Sequence, residues 1–237
     1  MAIFLQAEWR KLIMVNYAID SSLLKQYVPA KTELDFWNNT CYVSLVGFMF
    51  LNTKVLGMKI PLHVNFEEVN LRFYVRYKNA NEWRRGVVFI KEIVPRATLT
   101  FVANTLYGEH YQTLPMTHDW HMENGNLSVE YRWKLDRWHS IKVVAEDKLR
   151  QIPVGSEEEF ITEHYWGYTK LSDSKTSEYG VEHPRWGVYP VHRHSLDVDF
   201  AKVYGQAFQF LGAENPNSVL LAEGSEIKVL SGNPIKS

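Results

Sequence analysis

Between Val69 and Tyr77 the chain alternates: Val69, Leu71, Phe73, Val75 and Tyr77 fall on one side, Asn70, Arg72, Tyr74 and Arg76 on the other. A period of two is the signature of a β-strand, because successive side chains leave opposite faces. A polar loop over Lys78 to Glu82 and a second β-branched run, Gly86 to Val94, complete an expected antiparallel hairpin. The same alternation returns at Leu127, Val129, Tyr131 and Trp133, set against Ser128, Glu130, Arg132 and Lys134. Asn124-Gly125 just before it favours a primed turn, so Thr117 to Lys134 reads as a half-exposed hairpin that Ile141 to Ala145 extends. Tyr42 to Phe50 is apolar on both faces apart from Ser44 and Gly47, as in a fully buried strand. Phe101 to Tyr111 reads as a further strand.

Helical signals are fewer. Asp20 is placed to cap a short helix over Ser21 to Tyr27, with Pro29 as its stop. Ser156-Glu157-Glu158-Glu159 fits a capping box, with a helix running to about His164. Phe200, Val203, Tyr204, Ala207, Phe208 and Leu211 keep a helical period, which predicts one helix from Asp199 to Leu211 closing at Gly212. Tyr165 to His183 is loop-like, and Ser218 to Val229 reads as a terminal hairpin turning at Glu223-Gly224. The simplest sum is one α+β, β-dominated domain over 1–237, with helices at its periphery.

Composition narrows the function classes. Aromatic residues make up 14% of the 237 residues, a supply that suits a β-rich body or a deep pocket. A net charge of −1 gives no electrostatic basis for binding nucleic acid or an anionic membrane. Cys41 is the single cysteine, which excludes an intramolecular disulfide, and its apolar neighbours suggest a buried structural thiol. The first ten residues meet charge before an apolar signal core can form, and no apolar run approaches the roughly 18 residues of a membrane span. The expected setting is the cytoplasm. Nothing resembles a phosphate-binding glycine loop or a Gly-x-Ser-x-Gly elbow, and no cofactor is expected.

Chemistry concentrates in a few places. Lys91 and Glu92 sit side by side in an apolar strand, so one of them points inward. If Val87 and Phe89 face the interior, Lys91 joins them; if Val88 and Ile90 do, Glu92 does. A lysine in an apolar cavity can act as a Schiff-base nucleophile, and a glutamate there as a general acid or base. The alternative is a solvated Lys91 with Glu92 paired to Arg84 or Arg85. In the strand from Asn65, Glu67 shares the Val69–Leu71–Phe73 face and is expected to point inward, while Glu68 lies with Asn70 and Arg72. These carboxylates are either ion-paired at a strand start or part of a pocket. Arg10 beside Trp9 can grip a carboxylate while stacked, or form a structural cation–π contact. His63 either orients a ligand or is an edge histidine. Arg10, Arg72 and Arg85 are the candidates for holding an acid. Nine histidines raise the question of a metal, yet His118/His121 and His192-Arg193-His194 come without a zinc motif, and no metal is expected.

Several blocks together carry a family resemblance: Phe4-Leu-Gln-Ala-Glu-Trp-Arg10, Leu34-Asp-Phe-Trp37, Tyr42 to Phe48, Asn65 to Val75 and Arg85-Gly-Val-Val-Phe89. They resemble the YqjF-like family of the acetoacetate decarboxylase-like superfamily, from residue 4 to the Leu220–Gly224 segment. The resemblance implies a closed antiparallel or mixed β-barrel, cone-shaped, with helices outside and a cavity within. It also implies a pocket lysine, taken in decarboxylases from a Lys-Lys pair, with Glu and Arg residues around it. Here Phe89-Ile-Lys-Glu-Ile stands at that place, so the nucleophile position falls on Lys91 or on Glu92. Glu67 or Glu68 matches the pocket Glu, and Arg10 the pocket Arg. The expectation is a small, acidic, partly apolar ligand in the cavity and a possible homo-oligomer. The alternatives are a Schiff-base lyase of keto acids through Lys91, or a non-enzymatic scaffold.

Overall fold

The computed structural model describes residues 2–61, 63–96 and 111–235. In chain order they form β1 (Ile3–Ala18), a 3-10 helix (Ser21–Tyr27), β2 (Thr32–Leu34), β3 (Tyr42–Val55), β4 (Phe66–Asn79) and β5 (Glu82–Val94). Then come β6 (Tyr111–Thr113), β7 (Met116–Glu123), β8 (Asn126–Lys134), β9 (Trp138–Glu146), β10 (Arg150–Gln151) and helix α1 (Glu157–Thr162). The chain closes with β11 (Trp166–Lys170), β12 (Thr176–Glu182), β13 (Gly187–Tyr189), β14 (Val191–Asp197), α2 (Phe200–Tyr204), a 3-10 helix (Gln206–Gly212), β15 (Ser218–Leu230) and β16 (Asn233–Pro234).

One large sheet runs β10-β13-β15-β1-β3-β4-β5-β11-β12-β16, with β2 on β4 and β6 on β5. β12 also pairs β15, at Val181↔Val229 and Glu182↔Lys228. Pairing is parallel where β5 meets β6 and β11. A smaller antiparallel sheet runs β14-β9-β8-β7. The β7–β8 turn has Asn124 and Gly125 at φ 51° and 78°, the left-handed pair that a primed turn requires.

The large sheet buries both of its faces. Odd positions of β3 and β4, such as Val43, Leu45, Val69, Leu71 and Phe73, pack against the smaller sheet's Val129, Tyr131, Trp133 and Ile141 and against Phe200, Val203 and Phe208. Even positions, among them Tyr42, Val46, Phe48, Phe66 and Tyr74, form a second core with Phe160, Ile161 and Trp186. This is why β3 is apolar on both sides. Gly47 lies where the two sheets pack tightly: a Cβ there would stand 2.6 Å from Ile141 Cδ1. Ser44, the polar exception in that run, is satisfied by Asn16 and Tyr74 at 2.6 and 2.7 Å.

Two β-bulges swap which parity faces which core. Lys11, at φ 54°, interrupts the β1–β3 register between Arg10 and Ile13. Trp9 before it and Leu12 after it therefore reach the same core. Ile90 is the extra residue of β5, because Leu71 pairs with Lys91 while Arg72 pairs with Phe89.

Four sequence expectations change. Tyr165 to His183 is the β11–β12 hairpin, not a loop; its Thr169, Thr176, Ser177 and Glu178 are buried polar residues, so long-range pairing hides the usual apolar alternation. The single helix over Asp199 to Leu211 is two short ones, broken at Gly205, whose φ of 108° is incompatible with a helix. Ser218 to Val229 is one continuous strand. Gly224, at φ 82°, absorbs an irregularity there rather than a reversal, and a Cβ at that site would stand 1.9 Å from Trp9 O. The 78–82 loop contracts to a turn at Ala80 and Asn81, so β4 and β5 run longer than their apolar cores. Apart from Tyr111, which opens β6, the Phe101–Tyr111 strand lies outside the described residues. Asp20 does cap a helix over Ser21–Tyr27, of 3-10 type, and Ser156 caps α1 by accepting from Glu159 N.

Candidate functional site

The even-numbered side of β4 carries Phe66, Glu68, Asn70 and Arg72 into a pocket of about 160 Å³ beside the second core. β3 adds Phe48 and Phe50, β1 adds Trp9 and Leu12, and β5 adds Val87, Phe89, Glu92 and Val94. Trp166, Tyr179, His183 and Trp186 close the far wall. Tyr179 lies across Gly167, where a Cβ would stand 2.1 Å from its ring, so the glycine makes room for that wall. The aromatic side is held by edge contacts, with Trp9 5.3 Å from Phe48 and 6.3 Å from Trp186 between ring centroids.

The bulge at Ile90 settles the Lys91–Glu92 question. Phe89 and Glu92 share the pocket face although their parities differ, and Lys91 takes the opposite side. Both parity readings of β5 assumed a regular strand and so could not place its two halves together. Glu92 is 2% exposed and pairs across the ladder with Asn70. Lys91 donates through Nζ to the Val203 carbonyl of α2, and burial lowers its pKa. The described lining contains no lysine. Arg84 and Arg85 are not partners of Glu92 either: Arg84 pairs with Glu178 at 2.9 Å and Arg85 with Asp35 at 2.6 Å.

The other candidates separate in the same way. Glu68 joins the pocket, accepting from Asn70 Nδ2 at 2.9 Å and from Tyr111 at 3.3 Å. Glu92 is likewise engaged. Glu67 faces away from the pocket, toward the smaller sheet, where it meets His118 Nδ1 at 2.7 Å. Burial would raise its pKa, but the His118 hydrogen bond and nearby Arg96 hold it below the ordinary value. The strand separates two interiors, and the one lined by Val69 and Leu71 is not the pocket. Arg10 lies in a polar surface groove with Lys54, Lys59 and Lys228, paired to Glu8 at 2.7 Å. Trp9, its neighbour, packs on aromatic rings in the pocket wall, so no Arg10–Trp9 stack forms. His63 is bonded to the nearby Pro61 carbonyl and does not line the pocket. Among the described residues no three His, Cys, Asp or Glu side chains converge as metal ligands.

Arg72 does enter the pocket, its guanidinium carbon 5.8 Å from the Tyr74 ring centre. Its Nε is buried without a hydrogen-bond partner among the described residues, and so are Asn70 Oδ1 and His164 Nδ1. His164 was not singled out from the sequence. It follows α1, is 8% exposed, and packs between Tyr74 and Phe160 at 4.7 and 5.1 Å. Its Nε2 lies 3.3 Å from Asp35 Oδ2, the same oxygen that Arg85 Nε holds at 2.6 Å. Burial drives the His164 pKa down to about 4 in spite of Asp35. Burial also works to raise the Asp35 pKa, but hydrogen bonds from His164 and Arg85 outweigh it and keep that pKa below its ordinary value. The signal for this pair was an aspartate inside the apolar Leu34–Trp37 block. Its partner, 129 residues away, left no local trace.

A family model, DUF2071, described as an uncharacterized conserved protein, matches residues 6–226. Over 71 residues the chain is 35% identical to the uncharacterized protein YqjF of Bacillus subtilis (strain 168), a match spanning 30% of this chain and 29% of that protein. Among solved structures, the acetoacetate decarboxylase of Legionella pneumophila is similar with a TM-score of 0.68 at 12% identity, covering 99% of this chain and 88% of that one. The enduracididine biosynthesis enzyme MppR, in a structure complexed with pyruvate, scores 0.67 at 11% identity, covering 100% and 91%. An acetoacetate decarboxylase-like enzyme from Sphingomonas wittichii RW1 scores 0.65 at 10% identity, covering 100% and 95%. At these identities the likeness is one of fold.

Proposed function

Because the chain belongs to the DUF2071 family and has a β-dominated fold resembling acetoacetate decarboxylase-like proteins, we propose that it is a cytoplasmic protein that binds a small, partly apolar carboxylic acid. The pocket would lie inside a barrel closed where β12 pairs with β15. Arg72 carries this reading. A buried guanidinium nitrogen without a partner, walled by aromatic rings, favours an anion with an apolar body. On the same floor Glu68 accepts from Asn70 and Tyr111 rather than from Arg72. The pyruvate bound by MppR is a small acid of the same chemical kind.

The Schiff-base alternative finds no support in the pocket, because Lys91 lies on the other face of β5 and is spent on Val203. The test uses 3-phenylpropanoate and its neutral amide in calorimetric titrations. The acid is expected to bind at least about tenfold tighter than the amide, and Arg72→Gln to remove that preference. Equal binding of acid and amide, or an Arg72→Gln variant that keeps the difference, overturns the reading.

A further inference from the structure

The pocket holds a second group waiting for a ligand, and it is an acceptor. His164 presents one ring nitrogen, Nε2, to the Asp35 carboxylate at 3.3 Å. A neutral imidazole carries one proton, and a carboxylate neighbour places it on that nitrogen. Nδ1 is then a bare lone pair. It is buried and has no hydrogen-bond partner among the described residues. The imidazole stays neutral at physiological pH because burial outweighs Asp35.

The support behind the ring is unusually complete for a residue that merely fills space. Arg85 fixes Asp35 Oδ2 at 2.6 Å and lies over Phe160 at 4.7 Å, and the Asp35 backbone N–H is bonded to Tyr74 O at 3.0 Å. Tyr74 packs on His164 at 4.7 Å between ring centroids, and Arg72 stands 5.8 Å from the same ring. An anion-seeking donor and a donor-seeking acceptor therefore both adjoin one tyrosine ring.

We infer that His164 is a ligand-positioning residue whose Nδ1 accepts a hydrogen bond from a hydroxyl of the bound acid, so that the pocket selects hydroxylated carboxylic acids over their deoxy counterparts. The inference rests on the acid-binding reading of the pocket and names the second group its ligand must carry. Asp35 acts through His164 by fixing the tautomer.

The probes are 3-phenyllactate and 3-phenylpropanoate, which share ring and carboxylate and differ by one hydroxyl. Titration of the wild-type chain is expected to show 3-phenyllactate about tenfold tighter. His164→Phe should bring the two acids to equal affinity. Arg85 can only donate, so Asp35→Asn keeps an amide oxygen at the place of Oδ2, which Arg85 and His164 share, leaves the imidazole proton on Nε2 and should retain the hydroxyl preference. Under His164→Phe, 3-phenylpropanoate should hold its affinity within about twofold. A histidine with only a structural role predicts something else: both acids weaken together in His164→Phe. That result overturns the inference, as does equal affinity for the two acids in the wild type, and in either case the acid-binding reading stands. Binding of neither acid overturns that reading and this inference with it. A thermal melt of each variant shows whether it is folded.

Discussion

At Lys91 the ammonium group reaches a carbonyl in the last turn of α2, and at Glu92 the carboxylate faces the pocket. Lys91→Met should therefore leave acid binding unchanged in a calorimetric titration. It should cost about 1 kcal/mol in urea unfolding, the worth of a hydrogen bond to a buried carbonyl. A loss of binding would return Lys91 to the pocket chemistry. His164 makes a sharper prediction. The folded chain keeps it unprotonated down to about pH 4, whereas an unfolded histidine takes up its proton near 6.5. Between those values unfolding is coupled to proton uptake, so stability falls as pH falls through that window and levels off below it. The contribution is roughly 3 kcal/mol. His139 and His183 also have lowered pKa values, so the measurement is a difference: the pH 7 to pH 4.5 loss should be markedly smaller in His164→Gln than in the wild type. Equal losses would refute it. Glu68 and Arg72 were legible in the sequence because alternation put them on one face. Asp35 and His164 were not, because their pairing depends on a contact between distant segments.

Among the elements, strands with local alternation were legible: β4, β8 and β9 follow their apolar patterns, and the Asn124-Gly125 turn follows its residue types. Elements whose identity depends on a single glycine were not. Gly205 splits a helix whose apolar period continues straight through it, and Gly224 sits inside a strand where a glycine suggests a turn. Two φ-positive glycines, Gly125 in a turn and Gly224 within a strand, separate backbone preference from space. Gly125→Ala meets nothing within 4 Å and should cost about 1 kcal/mol for its conformation alone. Gly224→Ala also drives a Cβ into the Trp9 carbonyl and should cost well over about 2 kcal/mol. Comparable unfolding midpoints for the two variants would show that β15 can move off β1.

For the whole molecule, the large sheet keeps two interiors apart, one packed against the smaller sheet and one opening on the pocket. A disturbance of the first should not reach the second. Gly47→Val pushes against Ile141 and Tyr131 between the sheets and should cost about 2 kcal/mol as overpacking, with the dissociation constant for 3-phenylpropanoate unchanged. A variant that lost affinity in proportion to stability would mean the two interiors respond as one. The sequence made β dominance and family legible, since both rest on patterns repeated along the chain. Which interior a given face belongs to was not legible, because alternation names two faces without saying what covers each. Glu67 shows the gap: its parity was right, and the interior it enters is the other one.

The extra residue at Ile90 has a wider consequence. Side chains along β5 are assigned to the two interiors much as letters are grouped by a reading frame, and Ile90 shifts the frame once. Deleting Ile90 should leave Glu92 on the pocket side, because regular alternation from Phe89 then arrives there unaided. Keeping Ile90 but placing the bulge beyond Glu92 would do the opposite: regular alternation from Phe89 through Ile90 then brings Lys91 to the pocket, presenting an amine where a carboxylate now stands. The pocket's acid–base character is thus set by where along β5 the bulge falls, with both charged residues left as they are.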